Sequence, residues 1–459
     1  MYRVNSIILV IFITLVNLSC IRYSSGIEDV LKLAGNNRKE LENVLKHYNR
    51  NPSDSLKLRA AQFLIVNIPG KYSEYFDVPW NDVATVFLRW TSSSDKRLVL
   101  DTYQMGEPVK KDDVTHITAE YLINNIELAF KVWQEMPWGK DIPFDAFCEE
   151  ILPYRVSTEP LENWRGKALA SFADLYKSFK KDTAITAVEA CSKVNDKLPR
   201  FRVDKDFPPM SYTQLMATAR GSCESMSALA VFVMRSLGIP VTCDYTPLWV
   251  ELPNGHTWNS VRDRTGSHIS FMGTETNPGK LHQGTYFLRK NKVYRHVYAC
   301  QQNVPPGKDN IPPLLQDINS MIDVTCEYEQ CADVYVNLMN GHFNRNEYAY
   351  LSISQGINWH PISWGTVVGD SIQFQSVSKE NLYLPVYYHN YQQMPIGYPF
   401  WLSEDGSYRF LSNDSSRCEL MTFTEIDREV TDYINRMLYG RFEGANRSDF
   451  SDATLLYTY

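Results

Sequence analysis

Cys223 stands at the head of a long apolar run, Gly221-Ser-Cys-Glu-Ser-Met-Ser-Ala-Leu-Ala-Val-Phe-Val-Met-Arg-Ser-Leu-Gly-Ile-Pro240. A helix starting there surrounds the thiol with unpaired backbone N–H groups and the positive end of the helix dipole. Both favour thiolate, and the same N–H groups suit a developing oxyanion. Gly221 lets the backbone turn sharply into the helix. His256 follows 33 residues later in Asn-Gly-His-Thr-Trp-Asn-Ser-Val. Asn254-Gly255 is a turn signal, so His256 opens a strand that reaches back to the thiol. An imidazole there serves as general base and then as acid for a leaving amine. A third group must hold its tautomer. Glu275 in Phe-Met-Gly-Thr-Glu-Thr-Asn-Pro is expected on the next strand, ahead of Asp263, which falls in the turn between the two strands. Trp258 is expected to pack over the pair and contact substrate.

These residues need a helix followed by strands. Residues 162–303 supply that pattern. Leu-Ala-Ser-Phe-Ala-Asp-Leu-Tyr and Thr-Ala-Ile-Thr-Ala-Val-Glu-Ala are helical, the cysteine helix follows, and three short strands come next, over Pro240–Leu252, His256–Asp263 and Ser267–Glu275. Helices and then strands predict an α+β unit.

The combination Gly-x-Cys, Arg235-x-x-Gly-Ile-Pro and His256-x-Trp resembles the transglutaminase-like superfamily of papain-type cysteine enzymes. That resemblance implies a Cys223–His256 dyad with an acid. The usual Asp-Pro pair is replaced here by Glu275 and Pro278. It also implies an amide hydrolase (protease, peptidase or amidase) that works through a thioester resolved by water or an amine. Peptide, protein or cell-wall peptide amides are the expected substrates. The competing reading is a non-catalytic surface protein that binds glycan or peptide through its β domains, because a fold does not guarantee activity.

The rest of the 459-residue chain frames that unit. Its net charge of −7 and lack of a basic stripe argue against nucleic acid. Arg3 followed by the apolar stretch Ile7–Val16 is too short to span a bilayer and predicts a signal peptide over residues 1–20. Leu18-Ser19-Cys20 resembles a bacterial lipoprotein signal, with Cys20 as the lipidated residue. That resemblance implies a membrane tether in the cell envelope of a Gram-negative bacterium, in the periplasm or on the outer-membrane surface.

Residues 21–161 read as a helical domain, with Leu41, Val44 and Leu45 at helical spacing and Ser53 as an N-cap. Residues 304–330 are rich in Pro and Gly at their start and read as a linker. Residues 331–440 alternate apolar and polar positions, which predicts a β-sandwich whose aromatics form its core. The tail, 441–459, resembles the opening of a discoidin-like domain. The fold class is therefore α+β: a helical N-terminal domain, a transglutaminase-like core and a C-terminal β-sandwich.

Eight cysteines besides Cys20 are scattered thinly, so no disulfide scaffold is predicted. Cys326 and Cys331 are the nearest pair. They would lie ~16 Å apart in an extended strand, and can pair only if the segment turns. No His-Glu-x-x-His occurs, and His256 and His268 lie twelve residues apart without a carboxylate pattern. Neither metal nor cofactor is predicted.

Overall fold

The computed structural model describes residues 24–89, 106–203, 207–280, 288–302, 304–305, 311–337, 348–355, 358–368, 371–411, 441–444 and 454–458. Helices α1 (Ser25–Leu33), α2 (Arg38–Asn49) and α3 (Ser55–Val66) open the fold. Helix α2 buries Leu41, Val44, Leu45 and Tyr48, one face of a helix at three- and four-residue steps. Helix α3 begins later than a cap at Ser53 would give. Asn51 caps a short 3₁₀ turn instead, accepting the Ser53 N–H at 3.2 Å. Strand β1 (Tyr72–Tyr75) follows, then α4 (Trp80–Arg89). Strand β2 (Val109–Asp112) pairs antiparallel with β1, a ribbon that the helical reading of this region did not contain. Helix α5 (Ala119–Glu135) is capped by Thr118 and stops before Pro137, and α6 (Phe144–Glu150) leads out of the region.

Helices α7 (Trp164–Ser171), α8 (Ala173–Lys181), α9 (Ala187–Asn195) and α10 (Tyr212–Thr218) surround the central helix α11 (Cys223–Ser236). The two-residue strands β3 (Arg202–Val203) and β4 (Arg220–Gly221) pair in parallel just before it. Every residue of α11 from Ser225 to Ser236 is buried, because neighbours cover it on all sides. One apolar core runs from Leu41 and Leu64 through Phe147 to Phe232 and Val261, so the N-terminal helices and the cysteine helix share it.

A five-stranded antiparallel sheet receives α11. Its order is β7 (His268–Phe271), β6 (His256–Arg262), β5 (Val241–Thr246), β8 (Tyr294–His296) and β9 (Met321–Asp323). The edge strand β9 comes from the stretch read as linker: Tyr294 pairs with Asp323 and His296 with Met321.

Beyond it, strands β10 (Cys331–Asn337), β11 (Tyr348–Gln355), β12 (Asn358–Val368), β13 (Ser371–Ser378), β14 (Asn381–His389), β15 (Gln392–Pro395), β16 (Phe400–Leu402) and β17 (Tyr408–Phe410) form one antiparallel sheet. The sandwich expectation drew two facing sheets. The structure has one that curls, and its end strands approach each other, with the Tyr408 hydroxyl of β17 donating to the Tyr335 carbonyl of β10 at 2.9 Å. Strand β14 shows why its composition resembles a sandwich core. Tyr383 and Tyr387 enter the core inside the curl, whereas Leu384, Val386 and Tyr388 pack with Tyr294, Leu315 and Met321 on the other face. Both faces are buried, so alternation alone does not separate one curled sheet from two flat ones.

The chain divides into two compact units between Leu411 and Ser412. In the second, β18 (Arg441–Gly444) pairs antiparallel with β19 (Thr454–Thr458). Cys20 lies outside the described residues. Among the described residues, no helix is long and apolar enough to cross a membrane.

Candidate active site

Helix α11 delivers Cys223 as its first residue. The Ser222 side chain caps it, accepting the Ser225 N–H at 3.3 Å. Gly221 has φ +153°, and a Cβ there would come within 2.7 Å of Ser225. A glycine is therefore needed where the chain bends into the helix. At the other end, Arg235 explains the Arg-x-x-Gly-Ile-Pro pattern. Its buried guanidinium donates to the carbonyls of Glu149, Glu150, Arg155 and Val241 at 3.1–3.3 Å. This ties the cysteine helix to the N-terminal helices.

Strand β6 carries His256, and a tight hairpin brings it into place. Thr246 pairs with His256, and the Trp249 N–H bonds the Asn254 carbonyl at 3.1 Å. A Cβ on Gly255 would lie 2.5 Å from the carbonyl oxygens of Thr246 and Pro247, so only glycine fits immediately before the histidine. Asn259 fastens the strand to the helix, donating to the Ser227 carbonyl at 3.1 Å.

The structure brings Cys223 and His256 to the same place. The Thr257 backbone N–H, one residue from His256, is among the N–H groups that favour the Cys223 thiolate. The His256 ring forms a near-parallel triangle with two indoles. Its centroid lies 6.0 Å from Trp249 and 6.1 Å from Trp258, and the indoles lie 6.2 Å apart. Cys223 packs against the same apolar cluster, which includes Met226, Trp249, Trp258 and Met272.

That enclosure sets the protonation states. Burial pushes the thiol above its ordinary pKa and Glu224 adds to this, against N–H groups of Thr257, Glu224 and Cys223 that favour thiolate. Burial alone lowers His256 from 6.5 to about 4. Sequence reasoning expected the helix terminus to yield a thiolate. Desolvation outweighs it here, and the resting pair near neutrality is a thiol beside a neutral imidazole.

The two candidate acids occupy different places. Asp263 ends β6 seven residues from His256, roughly 23 Å away along an extended strand. Its carboxylate accepts Thr265 N–H and hydroxyl and Ser267 N–H at 2.7–3.0 Å. Despite a burial effect in the opposite sense, these bonds and one from Gly266 hold it below the usual carboxylate range. It is a turn cap, which fits its expected position between the strands.

Glu275 is exposed on a turn past the end of β7, where a strand position was expected. That turn is closed by Met272–Thr276 bonds at 2.9 and 3.0 Å and anchored by Asn195, which accepts the Thr274 N–H at 2.7 Å. The β6–β7 register pairs Asn259 with Phe271, which carries His256 level with this turn.

Sequence reasoning missed the layer behind Trp258. Its indole N–H donates to Tyr328 at 3.1 Å, and Tyr328 in turn donates to Asp244 at 2.6 Å. Asp244 is fully buried, opposite Trp258 in register, and gripped by Arg295 at 2.8 Å through both oxygens. These partners come from segments 51–84 residues away, and no local motif announces them. Asp244 is thus committed to positioning Trp258.

A cavity of about 230 Å³ adjoins the thiol's neighbours Glu224, Thr257 and Ala228, with Lys71, Tyr245 and Tyr298 on its far walls. A larger one, about 460 Å³, is lined by Trp80, Tyr121 and Pro208 and includes neither Cys223 nor His256. The smaller cavity likewise includes neither Cys223 nor His256. Among the described residues, no cluster of His, Cys, Asp and Glu could hold a metal ion.

A cysteine at the head of a buried helix, fastened to the histidine-bearing strand of an antiparallel sheet, defines an α+β scaffold. Residues 173–271 match the family model of the transglutaminase-like superfamily, and the chain carries a domain of that superfamily. The match spans α8 to the end of β7. It contains Cys223, His256 and Trp258, and ends before Glu275. No curated protein and no solved structure matches the chain.

Proposed function

We propose that this domain is a cysteine-dependent amide hydrolase. The observation that carries the reading is that Cys223 heads its helix and packs on the same indole cluster that flanks His256, whose imidazole burial keeps uncharged. A neutral His256 can take the thiol proton as sulfur adds to a substrate carbonyl, so no preformed ion pair is needed. The first-turn N–H groups of α11 face the developing oxyanion. Protonated His256 then gives its proton to the departing amine, leaving a thioester on Cys223. Water, or a second amine, resolves that thioester. Glu275 is the acid we assign to orienting the imidazole.

The substrates we propose are peptide or protein amides, cell-wall peptides included. The lipoprotein-like start with Cys20 supports a place on the cell envelope, tethered in the periplasm or at the outer-membrane surface.

The test is hydrolysis of a peptide library by the full chain beside Cys223→Ala, His256→Ala and Glu275→Gln. Loss of turnover in the first two is expected, and hydroxylamine should intercept the wild-type thioester, carrying the acyl group off as a hydroxamate and freeing the Cys223 thiol. Full turnover in Cys223→Ala would overturn the assignment.

A further inference from the structure

Cys326 and Cys331 flank Glu327-Tyr-Glu-Gln330, on the connection between the five-stranded sheet and the curled sheet. The segment does not run extended. Thr325–Glu327 form a 3₁₀ turn, and the Thr325 carbonyl accepts the N–H groups of both Tyr328 and Glu329 at 2.9 Å. That turn folds the chain back on itself, and the two thiols lie near enough to interact electrostatically. Cys331 also donates to the Glu329 carbonyl at 3.4 Å, and Cys326 is exposed.

Three of the four enclosed residues reach into the layer beneath the dyad. Glu327 receives Arg295 at 2.8 and 3.0 Å, Tyr328 holds Trp258 and Asp244, and Glu329 accepts the Lys290 N–H at 3.0 Å.

We propose that Cys326 and Cys331 form a disulfide that clasps this loop and fixes Tyr328 under Trp258. The oxidant is a small or protein disulfide. Exposed Cys326, as thiolate, attacks one sulfur of the oxidant and releases the other half as a thiol. Cys331 then displaces the second half, closing the bridge. Two protein thiols and one oxidant disulfide become one protein disulfide and two released thiols. Closure brings the two sulfurs to a bonding distance of ~2.05 Å. The proposal does not depend on the hydrolase reading, because bridge formation is read chemically.

The experiment equilibrates the full chain in glutathione buffers from fully reduced to fully oxidised. Free thiols are alkylated, and peptides are mapped by mass spectrometry. The expected result is a 326–331 peptide two hydrogens lighter and resistant to alkylation until it is reduced. Oxidised protein should also melt a few degrees above reduced protein, a difference lost in Cys326→Ser, whose exposed position tolerates serine. Both cysteines remaining alkylatable at every buffer ratio would overturn the bridge. A bridge that forms without raising the melting temperature would overturn its role as a clasp.

Discussion

The depressed pKa of His256 makes a quantitative stability prediction. Its imidazole titrates at about 4 in the fold, against 6.5 in the absence of burial. Between those values the unfolded chain binds the extra proton, so stability rises with pH across the window. It is fully present above 6.5 and lost as pH falls towards 4. From these two values, the His256 contribution to unfolding is negligible at pH 7 and about 2 kcal/mol at pH 5. His256→Gln cannot titrate, so this loss should vanish in the variant. The assay is urea denaturation at pH 7 and pH 5, followed by tryptophan fluorescence, since Trp249 and Trp258 flank the imidazole. Other groups titrate alike in both proteins, so the informative quantity is the difference between the two pH responses. Wild type should lose about 2 kcal/mol more than His256→Gln on going to pH 5. Equal losses would mean that the imidazole is not held neutral by its indole surroundings, and the base-assisted mechanism would lose its premise.

Other expectations rest on single contacts. Alkylation of Cys223 should accelerate at a higher pH than for an exposed thiol, since burial pushes this thiol up; mapping labelled peptides across a pH series reads it directly. Gly255→Ala should cost about 1–3 kcal/mol through overpacking against two carbonyls and should displace His256, seen as a lower melting temperature with loss of turnover. Arg235→Met should cost about 3 kcal/mol or more, because buried carbonyls of Glu149, Glu150, Arg155 and Val241 lose their donor; chemical denaturation measures it. Tyr328→Phe should lower stability by about 1–2 kcal/mol and change Trp258 emission, since both the indole N–H and Asp244 lose a partner.

Local sequence was enough to place Cys223 at a helix start and His256 at a strand start. Gly221-Ser-Cys223 turns into a helix for reasons contained in a few residues: a glycine at φ +153°, a serine cap and an uninterrupted apolar run. Asn254-Gly255 fixes the hairpin before His256 for an equally local reason, the carbonyls that exclude any Cβ. Helical spacing likewise marked the buried face of α2. What tertiary structure decided was every property that depends on distant partners. The β1–β2 ribbon pairs residues 34–40 positions apart, and the curl of the last sheet depends on β10 meeting β17. Glu275 landed on an exposed turn because Asn195 and the Met272–Thr276 bonds close the chain there. The protonation of the dyad was reversed by the same cause. A helix terminus is visible in sequence, but the desolvation that outweighs it comes from Trp249, Trp258 and Met272, which only the folded chain gathers around Cys223 and His256.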